Sequence, residues 1–197
     1  MRNFLTFIAG AEMSKKIVMV LAPGFEESEA VMTADVLRRA GLELVLAGLN
    51  GIEVTGAHDI KITADAVLEE LDAANCCCVI LPGGLPGSTH LRESDALMEF
   101  TNAVYADGGI AAAICAAPIA LARFGLVEGK TITAYPGFEE YLNGNCPTGN
   151  MTEVDGRIIT GKGPGAAFEF GARIAAALGK ADAAGQILKG MFAKAGE

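Results

Sequence analysis

Residues 16–41 read KIVMVLAPGFEESEAVMTADVLRRAG, and this stretch decides the fold. Positions 17–22 form an unbroken apolar run of strand length, which predicts a strand buried on both faces. Pro23-Gly24 breaks it. Apolar residues then recur at helical spacing (Ala30, Val31, Ala34, Val36, Leu37, Ala40), predicting a helix over 27–40 that Gly41 stops. A buried strand feeding an amphipathic helix is the opening of a parallel α/β arrangement, because parallel strands need a crossover between them.

The alternation continues outward. Residues 42–47 predict a second strand, and 51–63 a hairpin with Gly51 and Gly56 as turn residues. A third buried strand spans 76–81 and ends at Pro82-Gly83-Gly84. A helix over 94–107, a strand over 109–114, a helix over 116–124 and a strand over 131–134 follow. A hairpin over 151–160 turns at Asp155-Gly156, and helices over 166–178 and 181–194 complete the chain. The expected fold class is α/β: one domain, a largely parallel sheet flanked by helices on both faces. Residues 1–12 precede Met13-Ser14-Lys15-Lys16 and carry too short an apolar stretch for a secretory leader. They read as an N-terminal extension, disordered or a misplaced start, with the domain over 13–197.

The balance of 15 Lys+Arg against 24 Asp+Glu gives a net charge of -9 over 197 residues. That argues against nucleic acid and anionic membranes as partners, since both demand a basic footprint. Five cysteines, three of them adjacent (Cys76, Cys77, Cys78), make a poor disulfide framework. They point to thiols in a reducing, cytoplasmic setting. Adjacent residues on a strand face opposite ways, so these three cannot share one metal ion, and no metal site is expected. Cys146 has no ligand partners near it in sequence.

Ligands of open α/β sheets gather beyond the carboxyl ends of the strands. That selects 23–29, 82–87, 115–118 and 134–137. Cys115 stands out, at a strand-to-helix corner of small residues (Ala113, Ala116, Ala117) with Pro118 suited to the first helical turn. Helix N–H groups there favour the thiolate. A small buried cysteine packing the junction is the bland alternative. Glu29 is placed to share the crevice; a carboxyl beside a thiolate is disfavoured as an anion, which makes it a hydrogen-bond donor and general acid/base. Gly83 and Gly84 let backbone N–H groups approach an oxyanion.

Several decoys fall away. GLVEGKT at 125–131 lacks the first glycine of a phosphate loop, because Phe124 stands there, and it leaves a helix for a strand. GKGPGA at 161–166 fits a dinucleotide fingerprint, yet no βαβ unit with a ribose-binding acid follows it. His58 and His90 read as surface or satisfied histidines.

The segments APGFEESEA (22–30), DVLRRAG (35–41), LPGG (81–84), AAICAAP (112–118) and GPGAAFEF (163–170) together resemble the DJ-1/PfpI family, nearest its DJ-1 branch with the bacterial YajL-like members. The resemblance covers about 15–190. It implies a flavodoxin-like fold, a homodimer with Arg39 near its interface, no cofactor, and Cys115 as the oxidisable nucleophile paired with Glu29. Gly83, Gly84, Ala116 and Tyr135 then form the oxyanion and substrate-binding set. Ala116 stands where many hydrolytic members carry a histidine, and Tyr135 stands where the DJ-1 branch has a pocket histidine. A Cys-His peptidase is therefore poorly supported. The implied activity is a glutathione-independent glyoxalase, with a related deglycase activity, acting on small reactive carbonyls such as methylglyoxal. The alternative is a redox-sensing or chaperone-like stress protein using the same thiol.

Overall fold

The computed structural model describes residues 15–193; the expected extension at 1–12 lies outside them. The strands are β1 (Lys16–Leu21), β2 (Leu44–Gly48), β3 (Glu53–Thr55), β4 (Lys61–Thr63), β5 (Ala66–Val67), β6 (Cys76–Leu81), β7 (Ile110–Ile114), β8 (Thr152–Asp155) and β9 (Ile158–Gly161). The helices are α1 (Glu27–Arg39), α2 (Gly87–Glu93), α3 (Asp95–Ala106), α4 (Pro118–Arg123), α5 (Ala167–Ala175) and α6 (Ala181–Gly190). Seven strands form one sheet in the order β5-β2-β1-β6-β7-β9-β8, while β3 and β4 pair by themselves. Every pairing in the large sheet is parallel except that of β8 with β9. The expected α/β class holds.

Strand alternation divides the interior in two. Val18, Val20, Val79, Leu81, Ala111 and Ala113 face α3 and α4, where Leu97, Phe100, Val104 and Leu121 are buried. Ile17, Met19, Leu21, Ile80 and Ile114 face α1 and α5, against Val36, Leu37, Phe170 and Ile174. These helices approach closely because Gly171 has no side chain: a Cβ there would sit 3.1 Å from Val36 Cβ.

The cysteine triplet shows where register matters. Lys16 pairs with Cys76 and Ile17 with Cys78, so Cys77 is an extra, bulged residue. Cys76 consequently faces one core while Cys77 and Cys78 face the other. Strand alternation predicted a divided triplet, and the bulge decides how it divides. All five cysteines are free thiols.

One local expectation is corrected, and one helix is added. Residues 131–134 form no strand. Thr133 N–H donates to the Thr160 side chain (2.9 Å) instead of a ladder carbonyl; β9 already has β7 and β8 on its two sides, leaving no edge to join. Helix α2 was not foreseen, because GSTHLRE lacks a long apolar period and buries only Leu91 among its large side chains.

From β1 the chain goes to β2 on one side and later crosses to β6 on the other. That reversal opens a crevice beyond the carboxyl ends of β1 and β6.

Candidate active site

Three loops meet in this crevice and are tied by backbone hydrogen bonds. Glu26 N–H donates to Gly83 O (2.8 Å), Gly24 N–H to Thr55 O (2.8 Å), and Ala57 N–H to Phe25 O (2.8 Å). The turn after β1 is thereby fixed to the turn after β6 on one side and to the β3–β4 hairpin on the other.

Cys115 sits at the end of β7 with φ of 64°, a left-handed conformation that costs a non-glycine residue about 1–2 kcal/mol. Its backbone is pinned on both sides: its N–H donates to Gly161 O (2.9 Å) and its carbonyl accepts from Tyr135 N–H (2.8 Å). A strained corner held in this way aims the thiol outward from the sheet end.

Glu29, in the first turn of α1, has no solvent exposure. Its Oε2 accepts from Gly83 N–H at 2.7 Å, and its Oε1 is buried with no hydrogen-bond partner among the described residues. Burial pushes this carboxyl up to about 7, against the opposing effects of the Gly83 amide and the Cys115 thiol. The sequence reading of Glu29 as a carboxyl biased toward its neutral form therefore has a physical basis, chiefly desolvation.

The thiol departs from expectation. A helix N-terminus predicts a depressed pKa, yet Cys115 is pushed up to about 12, by burial first and then by the charge and hydrogen bond of Glu29. The amides of Ala116 and Gly84 act in the opposite direction. Both interactions with ionised Glu29 vanish once Glu29 takes up a proton. The pair is thus a site for one negative charge, shared between carboxyl and thiol.

Gly83 and Gly84 serve different ends. A Cβ on Gly83 would lie 2.5 Å from Cys115 Cβ and 2.7 Å from Glu29 Oε2, so its bareness lets those two side chains meet. Its N–H is taken up by Glu29 and is not open to an oxyanion. Gly84 has φ of +89°, and a Cβ there would meet Glu26 N at 2.3 Å. The amides directed at the sulfur are those of Gly84 and Ala116. Tyr135 is 48% exposed, with its ring edge beside Gly163.

Neither histidine joins this pair. His58 Nδ1 lies 2.8 Å from Glu27 Oε2, and the His58 N–H donates to Glu27 Oε1 (2.7 Å). Glu27 is buried, which pushes its carboxyl up, but the His58 ring and amide outweigh burial and hold it below its ordinary value. Nothing in the spacing of residues 26–58 signals this clasp between α1 and the hairpin. Glu26, Glu27 and His58 are near enough to hold a metal ion, but both Glu27 oxygens already have partners. His90 Nδ1 meets Pro23 O at 3.0 Å. Burial raises the thiols of Cys76, Cys77 and Cys78 as well, but these pack in or against the two cores, away from Glu29.

The sequence profile of the DJ-1/PfpI family matches residues 15–177. The chain belongs to the DJ-1/PfpI family. Protein dj-1beta of Drosophila melanogaster is 41% identical over 183 residues, covering 91% of this chain and 98% of that protein. The crystal structure of Drosophila melanogaster DJ-1beta superposes with a TM-score of 0.86 at 38% identity, covering 93% of this chain and all of that one. The glutathione-independent glyoxalase DJR-1.2 of Caenorhabditis elegans is 32% identical, with 89% of this chain and 96% of that protein covered. The family's flavodoxin-like fold thus agrees with the sheet order found here. No helix among the described residues is long and apolar enough to cross a membrane.

Proposed function

We propose that this chain is a glutathione-independent glyoxalase-type enzyme that converts methylglyoxal and similar small carbonyls to hydroxy acids, with deglycase-type chemistry as a related activity of the same pair. The observation that carries the reading is the pairing of Cys115, held at a left-handed corner, with a fully buried Glu29 whose carboxyl titrates near neutrality. The Cys115 sulfur adds to the aldehyde carbon, forming a C–S bond, while the aldehyde oxygen takes the proton; the product is a hemithioacetal. Glu29 removes the hydrogen of that carbon as a proton and returns a proton to the neighbouring carbonyl carbon, while the hydroxyl proton passes to the neighbouring oxygen. The former aldehyde carbon is then a thioester, and water cleaves it to release lactate and the thiol. One water is consumed, and no external oxidant or reductant is needed. The Gly84 and Ala116 amides face the sulfur and are placed to stabilise oxygen charge that develops beside it. Tyr135 offers a phenol at the mouth of the site.

Purified protein incubated with methylglyoxal and no added glutathione is expected to form lactate, measured by proton NMR. Lactate at the buffer rate, or only with glutathione present, would overturn the reading.

The same two amides support a second reading, an oxidation sensor, since they are equally placed to hold the oxygens of a Cys115 sulfinate. Peptide mass spectrometry after mild peroxide is then expected to find two added oxygens on Cys115 first. Equal oxidation of Cys115 and exposed Cys146 would count against it. A cytoplasmic homodimer belongs to the same proposal; on α1, Val31 is 53% exposed beside an apolar groove that includes Ala30 and Ala34, a face suited to a second copy.

A further inference from the structure

Both backbone hydrogen bonds that pin Cys115 lead into one hollow. Its carbonyl accepts from Tyr135 N–H, and its N–H donates to Gly161 O, immediately before Lys162. The segments that begin there form the walls of a cavity of about 260 Å³, lined among others by Tyr135, Pro136, Met151, Lys162, Pro164 and Ala166. That is slightly below the range of roughly 300–1,000 Å³ typical of drug-sized ligands, so it suits a molecule of few heavy atoms.

Lys162 is the only charged side chain in this lining. Its ammonium donates to Gly149 O at 3.0 Å, a neutral carbonyl, and it makes no ion pair with a carboxylate among the described residues. Lys15, Arg38, Arg39, Arg123, Lys130 and Arg173 each hold an acid, whereas Lys162 lines a hollow with its charge unopposed. An ammonium has three donors, so two remain for a ligand. Glu153 lies nearby in sequence, but its carboxylate is engaged by Thr148 and Asn150. Glu169 is likewise bound by Thr152 and Arg173.

We propose that this hollow is an anion subsite, with Lys162 as the specificity-determining residue. The substrates favoured by this chain would then be α-oxoaldehydes carrying a carboxylate on the side remote from the aldehyde. The inference rests on the glyoxalase reading for its chemistry, but not for its binding. With the aldehyde at Cys115, the chain of the substrate runs along the exposed face of Tyr135, and the terminal anion meets the Lys162 ammonium. The Tyr135 ring packs on Gly163, 3.2 Å from where a Cβ would be, so the bare glycine lets the ring lie back against the wall of the hollow. A compact ammonium on a long stem recognises a carboxylate as a point charge, which tolerates variation in chain length.

Two measurements separate the subsite from the catalytic reading. In the first, kcat/KM is compared for 4,5-dioxopentanoate and its neutral methyl ester. The wild type is expected to favour the acid at least tenfold. Lys162→Gln should reduce that ratio at least fivefold, and Lys162→Arg should restore most of it. An equal loss on both substrates, or no preference in the wild type, overturns the proposal. In the second, 4-oxopentanoate, which lacks the aldehyde, is used to protect Cys115 from iodoacetamide, read at the Cys115 peptide. Protection by the acid but not by its methyl ester, lost in Lys162→Gln, supports the subsite even if no substrate turns over. If neither compound protects, or both protect equally, the subsite is wrong whatever the outcome for lactate.

Discussion

Cys115→Ala is expected to lower lactate formation from methylglyoxal by at least about 10³-fold, because no other group in the crevice can form the covalent bond to the aldehyde carbon. Cys76 and Cys78 are buried in the two cores, and Cys146 is exposed. The variant should still fold, with a stability change of about 1 kcal/mol. A companion variant reads the strain at the corner. Alanine inherits the φ of 64°, whereas glycine adopts it freely, so Cys115→Gly should be more stable than Cys115→Ala by about 1 kcal/mol. Denaturant melts of the two proteins, run beside the lactate assay, check both halves. Full activity in Cys115→Ala removes the nucleophile from the mechanism, and a less stable glycine variant removes the strain.

Glu29→Gln has two large effects of opposite sense. Loss of the proton-transferring carboxyl should lower turnover by about 10²–10⁴-fold. Stability should rise above neutral pH. In the folded chain the Glu29 carboxyl is raised from 4.5 to about 7 by burial, while in the unfolded chain it titrates normally. Folding is therefore favoured in full below the unfolded pKa, and the advantage is lost as pH rises through 7, by about 3 kcal/mol in total. Glutamine stays neutral throughout and escapes that loss. Its melting temperature at pH 8 should exceed that of the wild type by about 6–10 °C for a chain of this size. The gap should close near pH 5. Thermal melts at the two pH values check it; a gap of the same size at both would mean that glutamine acts by packing alone. The wild-type rate should rise with pH through about 7, as the pair loses its first proton. In Glu29→Gln the thiol should be alkylated at lower pH than in the wild type, since the carboxylate's charge and hydrogen bond no longer raise it.

Much of this is legible residue by residue. The run 17–22 followed by a helical period fixes a strand and a helix because burial on two faces and on one face leave different patterns. Cys115, Glu29 and the glycine pair could be picked out because strand ends carry the chemistry of such sheets. Helix α2 escaped detection, since one buried leucine in GSTHLRE makes no period. Residues 131–134 looked like a strand, but strand propensity cannot reveal that the neighbouring edge is occupied. Lys162 carried no signal beyond its place after β9.

The sequence by itself determined the α/β class and the strand ends that form the crevice, and it brought Cys115 and Glu29 forward as candidates there, because these depend on local periodicity and turn chemistry. The tertiary structure decided the state of that pair. The Gly83 amide that binds Glu29 comes from 54 residues away, and the desolvation that raises both groups is produced by elements brought together from across the chain. A helix terminus acts on a thiol locally, whereas burial is a property of everything packed around it, and at Cys115 burial is the larger effect.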